Sequence, residues 1–196
     1  MGARSGGGGS GRGGGGLKHG ELSAAAERML DLVHSGKWDN MGWQERKRIL
    51  EEVDKHAETL GETLEKYEKA GVMDALVAYQ GSGYRYMNDR AMGIKTGDKK
   101  FDAEIKTHMK NLDKAIEMRR TTHDMIVWRG SSRAEKNSRR YVSVSLRAKV
   151  SDEFAEGVHL HAFRIPKGTP YAYSNRIGEY EMILPRGFKL QKFKVK

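Results

Sequence analysis

An α+β fold is expected for this 196-residue chain, with a helical first part and a mostly antiparallel second part. Two observations predict it. Up to about residue 120 the apolar residues recur at steps of three or four, which builds one buried stripe per helix. Beyond residue 124 the period shortens, and short apolar runs alternate with turn signals such as Pro166-Lys167-Gly168 and Pro185-Arg186-Gly187.

Each element follows in order. Eleven of the first twenty residues are Gly, so residues 1–20 have nothing to bury and read as a flexible tail or linker. Ser23 opens a short helix that ends near Ser35-Gly36. A long helix is expected over 43–70, where Ile49, Val53, Ala57, Leu60, Leu64 and Tyr67 form one stripe. That stripe reads as core, with a partner-docking face as the alternative. Gly61 interrupts it and costs about 1 kcal/mol against Ala, so a bend is expected there. A helix over 72–79 precedes a loop, QGSG, and a short helix in YRYMNDRAMG. KTGDKKF reads as a loop. Ile105, Met109, Leu112 and Ile116 then mark another amphipathic helix ending near Arg120. Strands are expected over 125–129, 141–146, 158–165, 169–173, 180–184 and 188–195.

Composition narrows the function classes. No Cys is present, which excludes disulfides, thiol nucleophiles and Cys-ligated metal. No run is long and apolar enough to span a bilayer, and no signal-peptide pattern opens the chain, so a soluble protein is expected. The formal net charge is +10, unevenly spread. Residues 1–70 carry 11 Lys and Arg against 12 Asp and Glu, whereas residues 71–196 carry 25 against 14. That basic field attracts polyanions: nucleic acid, a phosphorylated small molecule or an acidic protein surface. A basic nucleic-acid-binding module is therefore one reading. Against it, no zinc, recognition-helix or ribonucleoprotein signature is present.

Three short signals carry chemistry. Val127-Trp128-Arg129-Gly130 puts an arginine at the end of an apolar strand. Tyr141-Val142-Ser143-Val144-Ser145-Leu146 sets two serines on one strand face. Gly178-Glu179-Tyr180-Glu181 opens the next strand with two carboxylates one residue apart. Strand alternation would project Glu179 and Glu181 to the same side, with Cα atoms about 6.5–7 Å apart. An exposed acidic strand entry is the bland reading of such a pair.

In this order, the signals resemble the mono-ADP-ribosyltransferase family of the arginine-serine-glutamate type. The resemblance runs from about Leu76 to the C-terminus, so residues 21–75 read as a helical extension and 76–196 as the catalytic domain. YQGSGYRYMNDRAMG is similar to the family's helix before the core, with Tyr84 and Asn88 at its recurring positions. YVSVSL is similar to its Ser-Thr-Ser strand, with Val144 in place of Thr. Only thirteen residues separate Arg129 from Ser143, which is compact for the family.

The resemblance implies an antiparallel two-sheet core with NAD as co-substrate in the cleft between the sheets, and no metal. Arg129 would pair with the phosphates, and Gly130 would let the backbone approach the nicotinamide amide. Ser143 would orient Glu181. Phe154 would stack on nicotinamide, an ordinary core Phe on a short helix being the alternative. Tyr84 and Asn88 complete the expected cofactor contacts. Glu181 would stabilise the positive ribose formed as nicotinamide leaves, and Glu179 would hold and deprotonate the acceptor. A guanidinium has a pKa above about 12, so an arginine acceptor needs that second carboxylate. Tyr171, Tyr173, Asn175 and Arg176 border the loop expected to meet the target.

The expected function is transfer of ADP-ribose to protein arginine by a toxin or phage effector, in the cytoplasm of the producing or target cell. Transfer to RNA, to a nucleic-acid-associated protein, or to water as an NAD glycohydrolase are the alternatives. His159 and His161 alternate along an expected strand without a third ligand nearby, so they are not expected to bind metal.

Overall fold

The computed structural model describes residues 18–61, 64–130, 139–155, 160–176 and 178–193. Most of the Gly-rich start, most of the segment between Arg129 and Ser143, and His159 lie outside the described residues. Seven α-helices and six strands are described: α1 Ala24–His34, α2 Trp43–Asp54, α3 Leu64–Lys69, α4 Met73–Ala78, α5 Tyr84–Ala91, α6 Lys99–Glu117, β1 Met125–Gly130, β2 Val142–Ser145, α7 Ala148–Ala155, β3 Leu160–Ile165, β4 Ala172–Ser174, β5 Glu181–Leu184 and β6 Gln191–Lys192. The α+β class is as expected.

Local chemistry sets the helix starts. The Ser23 hydroxyl accepts from the Ala26 N–H at 3.2 Å and caps α1. Asp98 caps α6 by accepting from the N–H groups of Lys100 and Phe101. The expected stripe on α6 is buried, with Ile105, Met109, Leu112 and Ile116 all in one core.

The single helix expected over 43–70 is two helices, and its interruption begins well before Gly61. The cause is a competing use of polar groups. The Asp54 carboxylate accepts from the N–H groups of Ala148 at 2.7 Å and Lys149 at 3.3 Å, satisfying orphan donors in the first turn of α7. Residues 55–61 then run past the sheet, where Glu58 contacts His123 through its side chain and Arg147 through its carbonyl.

The strands form one antiparallel sheet in the order β4-β5-β2-β1-β3-β6, not the two separate sheets expected. Its two halves meet at a narrow seam, where a single pair, Trp128 opposite Ser145, joins β1 to β2. Helices α3 to α6 cover one face of the β4-β5-β2 half, packing on Tyr141, Ala172 and Ile183. Helices α1, α2 and α7 cover the β1-β3 half around Trp128, Leu160 and Ala162. The opposite face carries Met125, Val127, Val142, Val144, Leu146, Phe163, Ile165, Met182 and Leu184. All are buried in a third core to which no described helix contributes a buried residue. Tyr171 and Tyr173 are buried in the same core, and Leu60, Tyr180, Phe188 and Leu190 pack against it, which helps take these side chains out of water.

One polar network ties the N-terminal helices to this body. Asp152 on α7 is buried and accepts from Trp38 Nε1 at 2.8 Å and from the Arg46 guanidinium at 2.8 and 3.0 Å. Removing one partner of a buried ion pair leaves an uncompensated charge, at a cost of about 3–5 kcal/mol. Arg46→Met is therefore expected to lower the unfolding free energy by about 3 kcal/mol, the low end because Trp38 still donates. Urea denaturation of the two proteins checks this. An unchanged midpoint would show that solvent, not Arg46, compensates Asp152.

Candidate active site

The site begins with an irregularity in the helices. Between α4 and α5 the chain makes one turn of π-helix, Tyr79–Gly83, broken by Gly81 at φ −94°, ψ −145°. Gly83 is required there, since a Cβ at that position would stand 2.5 Å from the Ala78 carbonyl oxygen. The turn delivers Tyr79 and Gln80 to the β2–β5 surface. Such bulges are frequent at functional sites. A loop expected at QGSG gives no sign of this turn, so Tyr79 and Gln80 do not stand out as site residues in the sequence, where the paired glycines are the available signal.

On the sheet, β2 and β5 pair with Ser143 opposite Ile183 and Ser145 opposite Glu181, which places both serines and Glu181 on one face. The Ser143 hydroxyl hydrogen-bonds to the Tyr79 hydroxyl at 3.3 Å and to the Glu181 carboxyl. Gln80 Nε2 donates to Glu181 Oε2 at 3.1 Å. The Arg129 guanidinium donates to the Ser143 carbonyl oxygen, and its charge acts on Glu181. Arg129, Ser143 and Glu181 are thus brought together across three strands.

The electrostatics are set first by burial. Burial pushes the Glu181 carboxyl above its ordinary range, against the hydrogen bonds from Ser143 and Gln80, which favour its charged form. The neighbouring Glu179 adds to the rise and Arg129 opposes it. Burial also raises the Glu179 carboxyl. The Tyr79 hydroxyl is pushed up to about 12, chiefly by burial, so it remains a neutral hydrogen-bonding group.

The two glutamates are not related by strand alternation as expected. β5 begins at Glu181, and Tyr180 before it adopts φ +50°, a left-handed conformation that costs an ordinary residue about 1–2 kcal/mol. Several contacts hold it there. The Leu146 N–H donates to the Tyr180 carbonyl at 3.1 Å, and the Arg147 guanidinium lies 4.7 Å over the Tyr180 ring. The Ser145 hydroxyl donates to the Glu179 carbonyl at 2.7 Å. Glu179 therefore hangs from a turn, whereas Glu181 is held within a strand.

The remaining expected residues sit as follows. Gly130 ends β1 opposite Leu160. Asn88 Oδ1 accepts from the Tyr141 N–H at 2.9 Å, and its side chain also hydrogen-bonds Tyr79. Tyr84 is 42% exposed, with its ring edge-on to Tyr79 at 6.5 Å. Phe154 is 58% exposed on α7, so the core reading of that residue is excluded. Tyr171 and Tyr173 are buried in the third core, whereas Asn175 Oδ1 accepts from the Tyr180 N–H and serves the glutamate turn. Two cavities of about 340 and 300 Å³ lie elsewhere, and Glu181 lines neither.

No protein-family model and no curated protein sequence matches the chain. Solved structures do. The enzymatic component C2-I of the C2 toxin from Clostridium botulinum aligns with a TM-score of 0.51 at 15% identity, over 69% of this chain and 41% of that one. Plx2a, an ADP-ribosyltransferase toxin from Paenibacillus larvae, aligns with a TM-score of 0.49 at 19% identity, over 63% of this chain and 78% of that one. BECa, an ADP-ribosylating toxin of C. perfringens solved with NADH, gives 0.48 at 18% identity over 59% of this chain. The chain thus spans less than half the length of C2-I and only 36% of BECa. In its fold, the chain is similar to the bacterial mono-ADP-ribosyltransferase toxins.

Proposed function

We propose that this chain is a mono-ADP-ribosyltransferase that moves ADP-ribose from NAD to a protein arginine and releases nicotinamide. The observation that carries the reading is a partly desolvated Glu181, hydrogen-bonded to Ser143 and Gln80 and close to both Arg129 and Glu179. Residues 76–196 would supply the chemistry, with the helices of 21–75 buttressing it. The toxin or phage-effector role belongs to the same proposal.

The reaction breaks the bond between the ribose anomeric carbon and the nicotinamide nitrogen, and the electron pair leaves with nicotinamide. Positive charge develops on the ribose, as in glycoside cleavage. The Glu181 carboxylate, already oriented, stabilises that charge as it forms, so little reorganisation is paid at the barrier. An acceptor guanidinium nitrogen then attacks the same carbon, and its proton passes to Glu179. Arg129 would fork onto the cofactor phosphates, with Gly130, Phe154, Tyr84 and Asn88 around the nucleotide. The basic field of residues 71–196 favours one variant of this reading, in which the acceptor is RNA or a nucleic-acid-associated protein.

Glu181→Gln is expected to reduce nicotinamide release by roughly 10²–10³ or more, because an amide carries no charge to offset the cation. Near-full turnover in a folded variant would remove Glu181 from the mechanism. The same substitution has an opposite effect on stability. Since the folded chain holds the Glu181 proton more tightly than the unfolded chain, the carboxylate costs stability at neutral and higher pH. Glu181→Gln should therefore be the more stable protein at pH 8, with the advantage fading as pH falls toward the ordinary carboxylate value of about 4.3. Urea titrations at the two pH values measure it.

Glu179→Gln is expected to lose labelling of agmatine or protein while retaining substantial NAD hydrolysis, because water needs no carboxylate to position it. Nicotinamide release and labelling are read in one preparation. Parallel loss of both would show that Glu179 also supports cleavage. Full retention of agmatine labelling would remove Glu179 from acceptor handling, whereas a parent chain that labels RNA but not agmatine would favour the RNA variant.

A further inference from the structure

We propose that His19, Glu58 and His123 form a site for one divalent transition-metal ion of the zinc class, and that the ion braces the turn carrying the two glutamates. The three residues come from the segment before α1, the stretch between α2 and α3, and the entry to β1. Their ligand atoms lie within 4.8 Å of one another. Glu58 Oε1 is 2.8 Å from His123 Nε2 and 3.7 Å from His19 Nδ1. Tetrahedral ligands about 2.0–2.1 Å from zinc stand about 3.3–3.4 Å apart, a value these two distances bracket. The His19 and His123 rings lie with centroids 3.8 Å apart and planes 31° apart, so seating an ion requires the exposed His19 ring to turn its nitrogen toward Glu58 and His123.

The donor set suits that class. Two imidazoles and a carboxylate are borderline ligands preferred by Zn²⁺, Co²⁺ and Ni²⁺ over Mg²⁺ or Ca²⁺. The other nitrogen of His123, Nδ1, hydrogen-bonds Thr122 Oγ1 at 3.0 Å, the outer contact that fixes the tautomer of a ligating imidazole. His19 and Glu58 line the cavity of about 340 Å³, together with His56 and Glu21. It leaves room for water as a fourth ligand.

The ion's effect would travel through contacts already described. Glu58 offers its side chain to the site and its carbonyl oxygen to Arg147 Nη1 at 3.0 Å. Arg147 in turn lies over Tyr180, the strained residue between Glu179 and Glu181. Fixing Glu58 fixes the far end of that chain. The role is bracing, since the ion would touch neither glutamate of the candidate active site.

The test uses the full chain without a histidine tag, stripped with a chelator and titrated with Zn²⁺ by calorimetry and with Co²⁺ by visible absorption. One equivalent is expected to bind, with affinity reduced at least ~10-fold in each of His19→Ala, Glu58→Gln and His123→Ala. His19→Ala keeps the test decisive if the others misfold, since that side chain is 68% exposed and the fold does not need it. Absence of binding to the parent chain, or full affinity in His19→Ala, overturns the site. Hydrogen exchange with and without Zn²⁺ tests the brace. Slower exchange at residues 57–60 and at Tyr180 is expected, and protection confined to the neighbours of His19 and His123 would refute the connection to the glutamate turn. Neither readout involves NAD, so the outcome is independent of the proposed activity.

Discussion

Strand β2 has only four residues, and its pleat dictates what both faces of the molecule become. Val142 and Val144 point into the third core, where they join side chains of β1 and β3. Ser143 and Ser145 point the other way, toward the helices. On that face β2 pairs with β5 and receives the π-turn between α4 and α5, so Ser143 reaches Tyr79 and Glu181 while Ser145 holds the Glu179 carbonyl. A one-residue slip of β2 would exchange the faces, burying serines in an apolar core and pulling two valines into the polar site. The register that builds the core is the register that builds the site.

This coupling explains which parts were legible from residues alone. The α6 stripe and the strand runs were, because hydrophobic period reports burial directly. The Arg129, Ser143 and Glu181 set was legible through its order along the chain, and the structure brings those three side chains together. The helix over 43–70 misled because its stripe continues through Ala57 and Leu60, while the decisive event is a non-local contact. Asp54 caps a helix 94 residues further on, which no local pattern records. The same holds for Tyr79 and Gln80, whose placement depends on a steric demand at Gly83, and for His19, Glu58 and His123, which share no spacing in sequence. Period sees one element at a time; contacts between elements leave little trace in it.

Burial at Glu181 works against the charged form that the proposed chemistry needs, and the surrounding groups read as the compensation. Ser143 and Gln80 stabilise the carboxylate by hydrogen bonds, and Arg129 adds an opposite charge nearby. A carboxylate in this setting is oriented before any substrate arrives and sits in a medium of lower dielectric than water, where its field is less screened. The stability given up by keeping it there is the ordinary cost of such a site.

The two glutamates differ in how they are held, and that difference bears on what each can do. Glu181 is fixed by the β2–β5 ladder and by two side chains, a rigidity suited to charge stabilisation at one fixed carbon atom. Glu179 hangs beyond a left-handed Tyr180, so its position follows the turn rather than the sheet. A strand running straight through both residues would have locked them into one plane, with like charges side by side. In the proposed reaction, the break at Tyr180 would leave Glu179 free of the sheet to meet an acceptor, with its backbone carbonyl held by the Ser145 hydroxyl and Tyr180 covered by the Arg147 guanidinium. The strain at one residue thereby separates a rigid acid from an adjustable one, using two residues that a continuous strand would have made equivalent.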